Sequence, residues 1–174
     1  MIKILLKSKL TKSLNKKEIL SICKLKNTYW KYGIKSQLNW FIKYIKKNDI
    51  HNLAYLKNNL VGYILLRNRS FFYKKKKKNY FYFDSLIVKK KNRELKVGQK
   101  LINLTSRIIK KSKLHSMLIC EKKNILFYEK YGWKIITKDK SKILDHKYSK
   151  FSLMMCFNQK QEIMKSNIKY FISS

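Results

Sequence analysis

The segment KNRELKVGQKLI, residues 91–102, places Gly98 between Val97 and Gln99, at the mouth of an apolar helix. The first N–H groups of a helix have no partner inside it, and the helix dipole adds partial positive charge there. Such an end binds phosphate, and a glycine lets the phosphate approach the backbone because no Cβ intervenes. Arg93, Lys96 and Lys100 add formal charge around the same turn. The stretch therefore makes physical sense as a pyrophosphate cradle, with a glycine serving close helix–strand packing as the alternative.

Other residue types point to less. His51, His115 and His146 fall on separate elements without metal or triad spacing and are expected to be structural or surface groups. Cys23, Cys120 and Cys156 show neither CxxC nor Cys/His spacing; a disulfide framework or a metal site is not expected, and a reducing cytoplasm fits best. Cys120 and Cys156 end apolar strand-like runs, as small buried hydrophobes do. Trp30, Tyr32, Trp40 and Tyr44 cluster in the N-terminal helices.

The formal net charge is +34, from 43 basic and 9 acidic residues, a field that attracts polyanions. Nearly all of it is lysine; the arginines are Arg67, Arg69, Arg93 and Arg107. A reader of phosphates or bases favours arginine for its fork. Together with abundant Ile, Asn, Tyr and Phe and no Pro, this reads as an A/T-rich codon bias and a solvated lysine surface. Nucleic acid is thus a permitted partner, not a favoured one. No 18-residue apolar run suggests a membrane span, and MIKILLKSKL reads as a first strand, not a signal peptide.

The elements that must position these residues follow from periodicity. A strand is expected in 2–6, and a helix over 15–27 with Asn15 as N-cap, Glu18 three residues on, and Ile19, Ile22, Cys23 and Lys26 along one stripe. A second helix, 36–47, has Leu38, Phe41, Ile42 and Ile45 as its stripe and Ser36 as its cap. A hairpin in 51–69 turns at Asn58-Asn59, with Gly62 marking a bulge or a close approach. The lysine run in 73–80 is expected to be an exposed loop, followed by an aromatic central strand, 80–88. Val97, Leu101, Leu104 and Ile108 define one face of a helix to about Lys111. A strand at 115–120, a short helix at 124–133 closed by Gly132, and strands at 133–137 and 150–157 complete the order. The unit 80–120 reads as a strand–helix–strand parallel crossover. The expected fold is α/β (α+β): a mixed, mostly antiparallel sheet with flanking helices, one domain over 1–157 and a tail over 158–174.

DSLIVKKKNRELKVGQKLI resembles the acyl-CoA-binding signature of the GNAT family of N-acetyltransferases. Asp84, Leu86 and Val88 stand at its strand positions, Arg93 at its Arg/Gln, and Gly98 at its final Gly/Ala, while Lys96 replaces its first Gly. ILFYEKYGW is similar to a second family motif, with Phe127, Tyr128, Gly132 and Trp133 in place and Asn124 where Ala is usual. LVGYILL also resembles the strand before the central one.

The resemblance spans roughly residues 50–157 and implies transfer of an acetyl group from acetyl-CoA, a co-substrate, to a primary amine, without a metal. It implies that the backbone of Leu86, Ile87 and Val88 binds the pantetheine arm, with the Val88 N–H polarising the thioester carbonyl. The N–H groups of Arg93, Glu94, Leu95, Lys96, Val97, Gly98 and Gln99 would hold the pyrophosphate, with Asn124 and Tyr128 also contacting the donor. Tyr128 would protonate the departing thiolate. Asp84, the acidic residue of the aromatic strand, would serve as base, sharing by alternation a face with Leu86 and Val88. Trp30 and Tyr32, beside Gly33, are the candidates for the acceptor pocket, whereas Trp40 fits helix-to-sheet packing. The acceptor is a small-molecule or protein amine, and the positive field favours an anionic one, such as a nucleotide-linked amino sugar, over polyamines. No membrane partner is expected, and the chain is a monomer or homodimer. The alternatives are a basic nucleic-acid-binding protein and a CoA-binding acyltransferase fold without activity.

Overall fold

A computed structural model describes residues 3–73, 76–136 and 151–156. The tail 158–174, His146 and the polar segment 138–149 lie outside the described residues. The fold is mixed α/β with a mostly antiparallel sheet. Two compact units arise, one from Met1–Asn68 with Asp84–Thr105, the other from Arg69–Phe83 with Ser106–Ser174.

In the first unit the strand order is β1-β2-β3-β4, from β1 (Leu5–Leu10), β2 (Ile50–Leu56), β3 (Asn59–Tyr73) and β4 (Lys76–Val88). β1 thus starts three residues later than the apolar run suggests. α1 (Lys16–Asn27) begins at a capping box: the Glu18 N–H donates to Asn15 Oδ1, and the Asn15 N–H donates to Glu18 Oε2. It buries Ile22, Cys23, Leu25 and Lys26, an apolar stripe with one lysine in it.

α2 (Ile34–Tyr44) starts earlier than expected. Gly33, at φ 85°, is its N-cap, so Ser36 lies inside the first turn and caps nothing. Its buried residues are Gln37 and Phe41; Ile42 is 77% exposed. Gln37 goes inward because its Nε2 donates to the Trp30 carbonyl, a partner its own element does not reveal. Ile22, Leu25, Leu53, Tyr63, Leu65 and Ile87 form the core under these helices, with Trp30 and Trp40 packed against it.

The β2–β3 hairpin turns at Lys57-Asn58, one residue before the expected pair. Both have positive φ, as a two-residue turn matching the strand twist requires. The register shifts at Ala54/Tyr55, which pair with Gly62 and Leu60, so Val61 is the extra residue of a bulge. The bulge is used: the Lys89 N–H donates to the Val61 carbonyl at 2.9 Å.

α3 (Val97–Ser112) buries Val97, Leu101, Ile102, Thr105 and Ile109. Leu104 and Ile108, expected on its inner face, are only half-buried, because Thr105 takes that place. Its hydroxyl donates to the Leu101 carbonyl and accepts from Asn52 Nδ2.

In the second unit the order is β4-β5-β7-β6. β5 (His115–Cys120) runs parallel to β4, paired over Tyr80–Tyr82, and antiparallel to β7 (Ser152–Cys156). β6 is reduced to Lys134–Ile135. α4 is short, Ile125–Glu129, capped by Lys130, and the turn after it closes at Gly132 with φ 82°, the left-handed conformation expected there. The lysine run is not wholly a loop. β4 begins at Lys76, and Lys77, Lys78 and Asn79 are exposed, an arrangement that keeps their charges in water.

Candidate functional site

In the first unit, β4 ends at Val88 and a 3-10 turn, Lys90–Leu95, carries the chain to α3. Because the Lys89 N–H points to β3, strand alternation turns the N–H groups of Leu86 and Val88 away from β3. Leu86 and Val88 are half-buried, and both lie past Tyr82, where the ladder with β5 ends. Lys96 closes the 3-10 turn at φ 54°, ψ 28°, in the left-handed region that a residue with a Cβ enters at a cost of about 1–2 kcal/mol. That conformation accounts for the resemblance's first Gly, here a lysine. The Lys96 carbonyl accepts the first α3 bond, from the Lys100 N–H at 3.1 Å, so the N–H groups of Val97, Gly98 and Gln99 precede the helix's own ladder.

Gly98 is open. A Cβ built there meets only Val88 Cγ2, at 3.6 Å, and its φ is not positive. Close packing falls instead to Gly62, where a Cβ would sit 2.7 Å from Val97 Cγ1 and 2.9 Å from Leu101 Cδ1. The corner is bare backbone at a helix N-terminus, flanked by exposed Arg93, Lys96 and Lys100. These groups fit a pyrophosphate. Glu94 and Gln99 are exposed there, Leu95 is half-buried and Val97 fully buried. Asn92 is buried, and its Oδ1 has no hydrogen-bond partner among the described residues.

A cleft of about 470 Å³ adjoins this corner, lined by Thr28, Tyr29, Ile87, Val88, Lys89, Lys90, Lys91 and Arg93. Sequence reasoning reached Ile87, Val88 and Arg93. It missed Thr28, Tyr29 and the three lysines, although the triplet after Val88 was visible as a basic run. Trp30 lies one residue beyond, half-buried, meeting Tyr29 edge-on at 5.1 Å. Tyr32 is 73% exposed.

Asp84 sits in a charged cluster that the sequence did not reveal. Its Oδ2 accepts from Arg67 Nη1 at 3.0 Å and its Oδ1 from Ser85 Oγ at 2.8 Å. The Arg67 guanidinium lies 5.7 Å from the Trp40 ring, and Lys26 Nζ lies 3.5 Å from it. Burial pulls the Lys26 amine down to about 8, with Arg67 adding to the fall and Asp84 opposing it. Asp84 therefore reaches partners set against α2, whereas Val88 adjoins Gly98 of α3. The shared face expected from alternation does not hold for their contacts, because the buried guanidinium needs the carboxylate.

His51 is structural, as read. The Thr11 hydroxyl donates to the Asp49 carbonyl and contacts His51 Nε2 at 2.9 Å, while His51 Nδ1 contacts the Tyr63 hydroxyl at 2.8 Å. Burial holds its imidazole down at about 4.

In the second unit, Tyr128 is half-buried on α4. Its ring meets Phe83 at 5.8 Å, Phe127 at 5.2 Å and Trp133 at 6.3 Å, all edge-on. Its carbonyl accepts from the N–H groups of Tyr131 and Trp133, which fold α4 back after one turn. Asn124 precedes α4, half-buried. Cys23 and Cys120 are buried free thiols and Cys156 is a half-buried one; burial raises all three, Cys120 to about 11. Among the described residues no group of three or more His, Cys, Asp or Glu is placed to hold a metal, and no helix is long and apolar enough to cross a membrane.

Comparison with known proteins bears on this geometry. The family model of the acetyltransferase (GNAT) domain matches residues 22–144. No curated protein sequence matches the chain. Among solved structures, an acyl-CoA N-acyltransferase from Pseudomonas aeruginosa superposes with a TM-score of 0.68 at 12% identity, over 88% of this chain and 99% of that one. The PaiA N-acetyltransferase of Thermoplasma acidophilum, solved with coenzyme A, gives 0.60 at 16% identity, over 90% and 99%. Arabidopsis thaliana Naa50, bound to a bisubstrate analogue CoA-Ac-MVNAL, gives 0.58 at 19% identity, over 88% and 98%. At these identities the likeness is one of fold.

Proposed function

Because the chain belongs to the GNAT acetyltransferase family, we propose that it is an acyl-CoA-dependent N-acyltransferase that moves an acetyl group from acetyl-CoA to a primary amine by direct attack. The observation that carries this reading is the unfilled backbone at Gly98 beyond the left-handed Lys96 turn. The N–H groups of Val97, Gly98 and Gln99, with the cations of Arg93, Lys96 and Lys100 around them, hold the pyrophosphate, since the Lys96 N–H is already given to the Arg93 carbonyl. The side of β4 turned away from β3, at Leu86 and Val88, takes the pantetheine arm as an added strand.

Acetyl-CoA brings a thioester whose carbonyl carbon is the electrophile. The Val88 N–H stabilises negative charge on the carbonyl oxygen. The neutral amine attacks, the C–N bond forms, and the C–S bond breaks with its electron pair going to sulfur. Tyr128 gives its hydroxyl proton to that thiolate, and Asn124 lies along the donor. The proton lost by the amine passes to Asp84, directly or through water. Its oxygens already accept from Arg67 and Ser85, yet a carboxylate offers about four lone-pair sites, so acceptor capacity remains. Trp30 and Tyr32 border the acceptor. Three free thiols accord with a reducing compartment such as the cytoplasm.

The test is a thermal melt with and without acetyl-CoA, followed by thiol release against an amine panel. A ligand that binds only the folded state raises the melting temperature by mass action. Gly98→Leu is expected to fold, since Gly98 has room, and to lose that rise. A rise of wild-type size in Gly98→Leu would overturn the cradle assignment.

A further inference from the structure

The acceptor class follows from where the charges of the first unit are spent, and this inference rests on the acyltransferase reading. Glu18 is tied to Lys9 and the α1 capping box. Asp49 is buried and accepts from the Lys46 and Asn68 N–H groups. Asp84 is held by Arg67 and Ser85. The remaining acid, Glu94, lies on the 3-10 turn leading to α3. Between Glu18 and Asp49 the chain has no Asp or Glu at all. The α1–α2 connection, which contributes Thr28 and Tyr29 to the cleft at Val88, thus offers no carboxylate to a cationic acceptor. Polyamines and similar polycations would meet the cations Lys89, Lys90, Lys91 and Arg93 in that cleft.

What the connection does offer is built. The Tyr29 and Trp30 N–H groups both donate to the Lys26 carbonyl, Gln37 holds the Trp30 carbonyl, and the Gly33 N–H donates to Asn27 Oδ1. On this pinned backbone Tyr29 and Tyr32 stand 58% and 73% exposed, and Lys31 and Lys35 of the same stretch are exposed as well. Large rings kept in water on a fixed loop mark a contact surface. Aromatic faces interleaved with cations stack bases and neutralise phosphates.

We infer that the acceptor is an amine carried on a nucleotide, its base against Tyr29 and Tyr32, its phosphates on Lys31 and Lys35, and its amine directed to Val88. In the transfer this amine gains the acetyl group and loses one proton, and the donor leaves as the free thiol.

The test uses the full chain saturated with CoA, so that a nucleotide cannot simply occupy the donor site. Calorimetric titration with UDP, which lacks the donor's adenine, is expected to show binding that weakens at least tenfold in Lys31→Glu/Lys35→Glu and in Tyr29→Ala/Tyr32→Ala. CoA affinity and melting temperature should hold in Lys31→Glu/Lys35→Glu. Inorganic pyrophosphate is expected to bind more weakly than UDP. A UDP-linked hexosamine amine should be acetylated with kcat/KM at least tenfold above the free hexosamine. Failure of UDP to bind the CoA-loaded chain, equal binding by the variants, pyrophosphate binding as tight as UDP, or equal turnover of free hexosamine or spermidine overturns the inference and leaves the acyltransferase reading standing. Tighter binding of a single-stranded oligonucleotide through the same residues also overturns it, in favour of nucleic acid. Failure of CoA itself to bind sinks both readings together.

Discussion

Two glycines of the first unit, Gly62 packed against α3 and Gly98 in its first turn, serve opposite ends. Gly62 is absent a side chain because Val97 and Leu101 fill the space. Gly98, one residue after Val97, is absent a side chain although the space is nearly empty. The difference separates an interior in which every volume is spoken for from a corner kept bare. It teaches that a glycine's meaning lies in what its missing Cβ would meet, which no sequence window contains. A stable fold loses little by a vacancy at position 98, so access for a ligand explains the vacancy better than packing does.

The comparison can be broken most forcefully at the interior. His51 is held neutral between two hydroxyls, its pKa pulled from 6.5 to about 4. Above pH 6.5 it is neutral in both states. As pH falls from 6.5 to 4 the unfolded chain binds the proton first, so stability is lost, by about 3 kcal/mol at the limit. Chemical denaturation at stepped pH checks this, and His51→Gln should flatten the curve in that window. A flat wild-type curve would mean the interior is not as closed as described.

Next in size is Gly62→Ala. Its Cβ would press on Val97 and Leu101, and overpacking of this kind costs about 1–3 kcal/mol, read as a lower denaturant midpoint. The corner should respond in the opposite direction. Lys96→Gly relieves the left-handed strain at the expense of unfolded-state entropy, for a net gain of up to about 1 kcal/mol. Smallest is Gly98→Ala, expected to stabilise the apo protein by about 0.5–1 kcal/mol, because the helix gains propensity and the methyl meets only ordinary contact. Equal and same-signed effects at 62 and 98 would erase the distinction between the two glycines.

Much of the frame was legible because it is local. The Asn15/Glu18 capping box, β5 with its bounds and the left-handed Gly132 all depend on neighbours a few residues away. What failed depends on distant partners. Gln37 is buried by the Trp30 carbonyl and Thr105 by Asn52. The corner at Gly98 was legible since dipole, charge and glycine lie within one turn. The aromatic lip was half legible: Tyr32 and Trp30 stood out by composition, but Tyr29 entered only when the fold brought α1's end beside Val88.

The bulge at Val61 has a bearing on how this gene tolerates length changes. Its carbonyl is the anchor for Lys89, so the one supernumerary residue of the hairpin is also the latch for the strand end that leads to the corner. Removing codon 61 would straighten the hairpin and unfasten that end in a single step. An extra codon at 57–58, in the turn, would cost far less. When remote homologues are aligned, a gap belongs at the tip of this hairpin, and one placed four residues further on misreads the fold.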